Sequence, residues 1–139
     1  MKYQPSYRKI FKRQKGKTCN KINSSFLLKK LSFGSLGLIA KESGYLTSKQ
    51  INCFYQTVNK ILKKNGKFFL KIFPHTPITK KPLEVRMGKG KGSVNHWVAK
   101  IKVGTILCEI ESSSKKLGLF SLSKGKFKLP LLAKIITKY

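Results

Sequence analysis

Along residues 46–66, LTSKQINCFYQTVNKILKKNG, apolar side chains return at helical spacing, with Ile51, Phe54, Val58, Ile61 and Leu62 on one face. Thr47 and Gln50 occupy capping-box positions, where each side chain can satisfy a backbone N–H of the first turn. Asn65-Gly66 predicts the helix stop, because glycine takes the left-handed conformation readily. Elsewhere the period is two. Trp97, Ala99, Ile101 and Val103 alternate with Val98, Lys100 and Lys102, predicting a half-buried strand with a cationic outer face. SFGSLGLIA (32–40), KFFLKIF (67–73), TILCEIE (105–111) and PLLAKIITKY (130–139) predict further strands, and LEVR (83–86) a short one. The three prolines of PHTPITKKP (74–82) predict a rigid extended turn. Residues 114–129 carry Leu117, Phe120, Leu122 and Phe127 at loosely helical spacing, interrupted by Gly118 and Gly125. Strands and two helices without regular βαβ alternation predict an α+β domain of two layers, with the helices on a mixed sheet.

Composition adds a partner. The chain of 139 residues is long enough for one domain with its own core, read here as a basic extension over 1–31 and a single domain over 32–139. It holds 31 Lys and Arg against four acids, Glu42, Glu84, Glu109 and Glu111, for a net charge of +27. One short charge run would be a solvated face, but this excess extends from Lys2 to Lys138, and such a surface repels itself unless a polyanion neutralises it. Nucleic acid is the expected partner. Only Arg8, Arg13 and Arg86 are arginine, so forked contacts to bases are few. Lysines hold phosphates without identifying bases, which favours the backbone and shape of a folded RNA. Tyr3, Tyr7 and Phe11 interleave with cations in the extension, an arrangement that can stack on bases. Cys19, Cys53 and Cys108 are scattered and stand in no zinc spacing with His75 or His96, so inert thiols in a reducing compartment and no metal are expected. No apolar run approaches the ~20 residues that span a bilayer, and no membrane partner is expected.

The stretch VRMGKGKGSVNHW (85–97) raises the question of a nucleotide pocket. A phosphate loop of the Walker type needs G-x-x-x-x-G-K-[ST] followed by a helix whose N-terminus faces the phosphates. Here Gly88, Gly90 and Gly92 are spaced by two, no GK[ST] triplet occurs, and the following residues alternate like a strand. A dinucleotide fingerprint fails on the same grounds. With no aspartate a Ser-His-Asp arrangement is impossible, Glu109 and Glu111 form no obvious acid–base pair, and His96 beside Trp97 reads as a surface histidine near RNA. No enzyme, cofactor or small-molecule substrate is expected. What remains is a loop rich in backbone N–H groups, carrying Arg86, Lys89 and Lys91, whose glycines let the backbone approach phosphates closely.

KPLEVRMGKGKGSVNHWVAKI (81–101) resembles the signature of the bacterial and organellar large-subunit ribosomal protein sixteen family, counterpart of an archaeal and eukaryotic protein of the same fold. GKFFLKIFPHTPIT (66–79), SFGSLGL (32–38), LTSKQI (46–51) and QPSYRKIFKRQKGK (4–17) are similar to that family's strand and proline turn, glycine-punctuated strand, helix start and N-terminal tail. Residues 18–31 and the segment SSSKKLGLFSLSKGKFK (112–128) depart from its pattern.

The resemblance implies an α/β-hammerhead-like fold and a place near the base of the central protuberance, on large-subunit ribosomal RNA and beside neighbouring ribosomal proteins. It implies that Arg86, Met87, Gly88, Lys89, Gly90, Lys91 and Gly92 point towards aminoacyl-site tRNA. Arg8, Lys9, Lys12, Arg13, Lys15 and Lys17 would follow ribosomal RNA as a tail. Lys49, Lys60, Lys63, Lys64, Lys71, Lys100 and Lys102 are read as the cations of the helix and sheet that face RNA. Matching from Gln4 leaves no room for a presequence, and the lysine-rich usage resembles an AT-rich genome. A mitochondrial, organelle-encoded protein is therefore expected, with plastid or bacterial cytoplasm as alternatives. A nucleoid-type DNA-binding protein is the rival function.

Overall fold

A computed structural model describes Pro5, residues 12–14, Gly16 and residues 31–138. The order along the chain is β1 (Leu36–Ala40), β2 (Gly44–Thr47), α1 (Ser48–Leu62), β3 (Gly66–Leu70), β4 (Thr76–Lys80), β5 (Ser93–Ile101), β6 (Ile106–Ser112), α2 (Lys115–Lys126) and β7 (Ala133–Thr137). The class is α+β, as the mixed order of elements predicts. In place of one mixed sheet there are two, a four-stranded one in the order β3-β6-β1-β7 and a three-stranded one in the order β2-β5-β4. Among the described residues every pairing is antiparallel: β6 and β7, joined through α2, run in the same direction but do not pair, because β1 lies between them antiparallel to both.

The first helix forms where its local signals place it. Thr47 Oγ1 accepts from the Gln50 N–H at 3.3 Å, and Gln50 Oε1 accepts from the Thr47 N–H at 2.9 Å. Ile51, Phe54, Val58 and Leu62 are its buried stripe, and Lys49, Cys53, Gln56 and Lys60 line the opposite, exposed one. The stop differs from the expected Asn65-Gly66. Lys63 itself takes φ 48°, with its N–H donating to the Asn59 carbonyl at 2.8 Å. Gly66 instead opens β3, where a Cβ would stand 2.7 Å from the Glu111 carbonyl oxygen on β6.

The second helix runs straight through both glycines that break its pattern in the sequence. A Cβ at Gly118 would lie 2.5 Å from Leu36 Cδ1, and one at Gly125 2.7 Å from Val58 Cγ2 and 2.8 Å from Phe54 Cε2. These glycines are close-contact points that let α2 lie against β1 and α1, and that packing outweighs their poor helix propensity. Leu36, Leu38, Cys108 and Ile110 from the larger sheet join Leu46, Ala99 and Ile101 from the smaller one, with both helices, in one core. Burial raises the Cys108 thiol far above its ordinary range, so it stays protonated and inert. Cys53 is exposed, and Cys19 lies outside the described residues.

The proline-rich segment is also more regular than expected. Pro77 sits within β4 and pairs with Trp97. It is tolerated because β4 is an edge strand, so a missing donor need break no ladder bond. LEVR is not a strand; the Val85 N–H donates to the Pro82 carbonyl at 3.3 Å and the four residues are exposed turn. On β5, the central strand of its sheet, Trp97, Val98 and Ala99 are all buried and Lys100 is exposed, so the cationic face is narrower than alternation predicts.

The face of the four-stranded sheet opposite the helices carries a cross-strand row of Phe69, Glu109, Gly37 and Ile136. Residues 31–34 cross it. Leu31 seats on Gly37, where a Cβ would be 2.5 Å from Leu31 Cδ2. Glu109 is only 1% exposed, and its Oε2 accepts N–H groups from Ser32 at 3.0 Å, Phe33 at 2.6 Å and Gly34 at 3.0 Å. Its Oε1 makes an ion pair with Lys71 Nζ at 3.4 Å. Burial alone would raise this carboxyl, but the Phe33 and Gly34 N–H groups and the Lys71 ammonium outweigh it and hold the group below its ordinary value.

Candidate nucleic-acid interface

The glycine–lysine segment is the loop of the β4–β5 hairpin. Its legs meet at Lys80 and Ser93, and a Cβ at Gly92 would stand 2.7 Å from the Lys80 carbonyl oxygen. Gly92 therefore closes the base. The tip uses its glycines differently. Gly88 (φ 104°), Lys89 (φ 53°) and Gly90 (φ 80°) are three consecutive residues with positive φ, and nothing lies within 4 Å of a Cβ built at either glycine. The alternation GKGKG thus serves backbone conformation at two positions and close approach at the third. Glycine adopts such backbone without strain, whereas Lys89 between the two glycines takes a conformation that side chains other than glycine rarely adopt. Arg86, Met87, Gly88, Lys89, Gly90 and Lys91 are exposed, Met87 at 99%, and Gly92 is half-buried. A strand follows the loop, not a helix, so no helix N-terminus faces a nucleotide there.

Two lysines of this region hold the loop itself. Lys81 Nζ donates to the Gly88 carbonyl. Lys91 Nζ donates to the Arg13 carbonyl at 2.5 Å and to Gln14 Oε1 at 3.3 Å, while Lys12 Nζ donates to the Lys91 carbonyl at 2.9 Å. The basic extension is therefore clasped to the hairpin. It continues over the smaller sheet, where the Tyr45 hydroxyl donates to the Gly16 carbonyl at 2.9 Å and Lys100 Nζ stands 3.6 Å from where a Gly16 Cβ would be. Tyr45 and Lys100 are cross-strand partners on β2 and β5. Lys12, Arg13, Lys91 and Lys100 are thus brought to one side of the three-stranded sheet, although they come from widely separated stretches of the chain.

The remaining cations distribute over the surface. Lys49 and Lys60 lie on the outer stripe of α1, Lys63 and Lys64 are exposed at its C-terminal end, and Lys102 is exposed in the turn after β5. Lys71 is engaged within the molecule, paired with Glu109 and 4.1 Å from the centroid of the Phe33 ring. Arg8, Lys9, Lys15 and Lys17 lie outside the described residues. Among the described residues no group of three His, Cys, Asp or Glu side chains converges on a metal site, and no helix is long and apolar enough to cross a membrane.

Sequence reasoning does not find the Glu109 anchor, the Tyr45 contact or the clasp by Lys91. The one available signal is a carboxylate between apolar neighbours on a strand, Cys108 and Ile110, which in a chain so poor in acids marks a group with an internal partner.

Comparison with known proteins identifies a family. The model of the family described as Ribosomal protein L16p/L10e matches residues 4–136. The chain is 38% identical over 135 residues to "Large ribosomal subunit protein uL16" of Cereibacter sphaeroides (strain ATCC 17029 / ATH 2.4.9), covering 97% of this chain and 96% of that one. It is 41% identical over 135 residues to the protein of the same description from Acinetobacter baylyi, with 97% and 96% covered. Against that of Wigglesworthia glossinidia brevipalpis it is 41% identical over 136 residues, again with 97% and 96% covered. With matches that run through the extension, the hairpin loop and both sheets, the chain belongs to the ribosomal protein L16p/L10e family.

Proposed function

We propose that this chain is a structural constituent of the large ribosomal subunit whose clasped extension and hairpin loop bind ribosomal RNA and border the aminoacyl-tRNA site. Family membership carries the ribosomal part: the protein is a building element of the subunit, not an enzyme. The finer part is supported by one observation, the gathering of Lys12, Arg13, Lys91 and Lys100 on one side of the smaller sheet below an exposed loop tip. We divide the chain accordingly into an extension over 1–31 and an α+β domain over 32–139. In this reading Arg86 and Lys89 face tRNA, and the remaining exposed lysines neutralise converging RNA phosphates so that helices can pack. The relatives above are bacterial, so the mitochondrial setting expected from composition has no support from them. The bacterial cytoplasm is the setting we adopt.

A nucleoid-type DNA-binding role shares the charge but has nothing in its favour beyond it. Titrating the purified chain with large-subunit ribosomal RNA and with duplex DNA separates the two. Ribosomal RNA should bind more tightly throughout, and its affinity should fall about 10³- to 10⁵-fold between ~50 and ~200 mM salt if ~6–10 phosphates are neutralised. Equal affinity for the two polymers at the higher salt would sink the ribosomal-RNA reading.

A further inference from the structure

β3 is the outermost strand of the larger sheet among the described residues, and a trough of about 510 Å³ runs along its free edge. Tyr55 and Phe68 line one side; Phe33, Phe69, Lys71 and Phe73 line the other. The rings meet in two groups, one on each side. Phe33 and Phe69 stack with centroids 5.5 Å apart, and Tyr55 meets Phe68 edge-on at 5.4 Å. Phe33 is 60% and Phe73 47% exposed, which is costly for large apolar rings that serve no partner. Lys71 stands 4.1 Å from the Phe33 centroid, and Lys67 is exposed on β3.

We propose that this trough takes an unpaired base of large-subunit ribosomal RNA, which stacks on Phe73 while Lys67, exposed on β3, meets a flanking phosphate. The proposal rests on the ribosomal-RNA reading above and adds a site to it. Exposed aromatic faces interleaved with cations are the combination that holds splayed-out bases, since every base offers a π-face and every linkage a negative charge. Charge selects RNA over a neighbouring protein strand. An edge that carried a strand by backbone pairing would be ill served by Lys67 and Lys71, because edge lysines discourage such pairing, and the chain's net charge of +27 attracts a polyanion.

The test uses the full chain and protein-free large-subunit ribosomal RNA from a bacterium, with Phe73→Ala and Phe73→Leu compared with the parent. Phe73→Leu keeps the apolar bulk and guards against a folding loss, which thermal unfolding monitors. Both substitutions should weaken binding about 5- to 100-fold, the effect of losing one base-stacking ring. The slope of log affinity against log salt should stay unchanged, because no phosphate contact is removed. Ultraviolet irradiation of the parent complex should join a nucleotide to the peptide that contains Phe73. Parental affinity in folded Phe73→Ala, or full recovery in Phe73→Leu, would overturn the stacking site. So would unchanged RNA affinity coupled to loss of a neighbouring protein from the subunit, which would make the trough a protein dock. A parent that shows no preference for ribosomal RNA would overturn both this proposal and the reading beneath it.

Discussion

Glu109→Ala is expected to remove about 3–5 kcal/mol of folding free energy, because three backbone N–H groups lose a charged acceptor at ~1–3 kcal/mol each. The side chain is 1% exposed and accepts three backbone N–H groups, which its loss leaves without their acceptor. Against a typical total of about 5–15 kcal/mol this is a large fraction. Glu109→Gln separates charge from shape, because an amide oxygen can still accept while the charge-assisted gain is lost. It should cost about 1–3 kcal/mol. The pH dependence has a definite sign. Glu109 titrates below its ordinary value when folded, so its contribution is present above the unfolded glutamate pKa of ~4.3 and is lost as pH falls through the depressed folded value. With only four glutamates and no aspartate in the chain, few other carboxylates add to that acid limb. Urea unfolding of the parent and the glutamine variant across this range provides the check. An identical acid limb in both would mean that Glu109 is not the titrating anchor.

The second large effect concerns the hairpin tip. Replacing Arg86 and Lys89 with alanine should weaken aminoacyl-tRNA binding to reconstituted subunits by about tenfold or more, taking roughly 1 kcal/mol for each charged side chain removed. Incorporation of the variant into subunits should change little, since neither side chain holds the fold. Lys91 is expected to behave differently, because its ammonium is spent on Arg13 and Gln14. Lys91→Met should raise hydrogen exchange at residues 12–14 and reduce incorporation before it affects tRNA. Equal loss of tRNA binding and incorporation in the Arg86/Lys89 variant would remove the division of labour between tip and clasp.

Much of this arrangement is legible where the determining forces are local. The capping box at Thr47 and Gln50 and the buried stripe of α1 involve residues within a few positions of each other, and they stand as the pattern predicts except at Ile61, which is only half-buried. Strand character follows from alternation, although alternation cannot say that β6 pairs with β1 and β3, or that the strands divide into two sheets. Glycine is the least legible residue here. Gly118 and Gly125 read as interruptions because their use lies in atoms of β1 and α1 that sequence spacing does not reveal. Pro77 reads as a turn because its tolerance depends on β4 being an edge. At the candidate interface the loop itself is visible in GKGKG. The role of Lys91 is not, since its partner Arg13 is 78 positions away.

The central claim, that this chain is an element of the large ribosomal subunit held by RNA, is tested most directly by sedimentation of native cell extract through a gradient at high salt. The chain should migrate with the large subunit and leave it only when the RNA is digested. Recovery at the top of the gradient, or release by deoxyribonuclease, would contradict it.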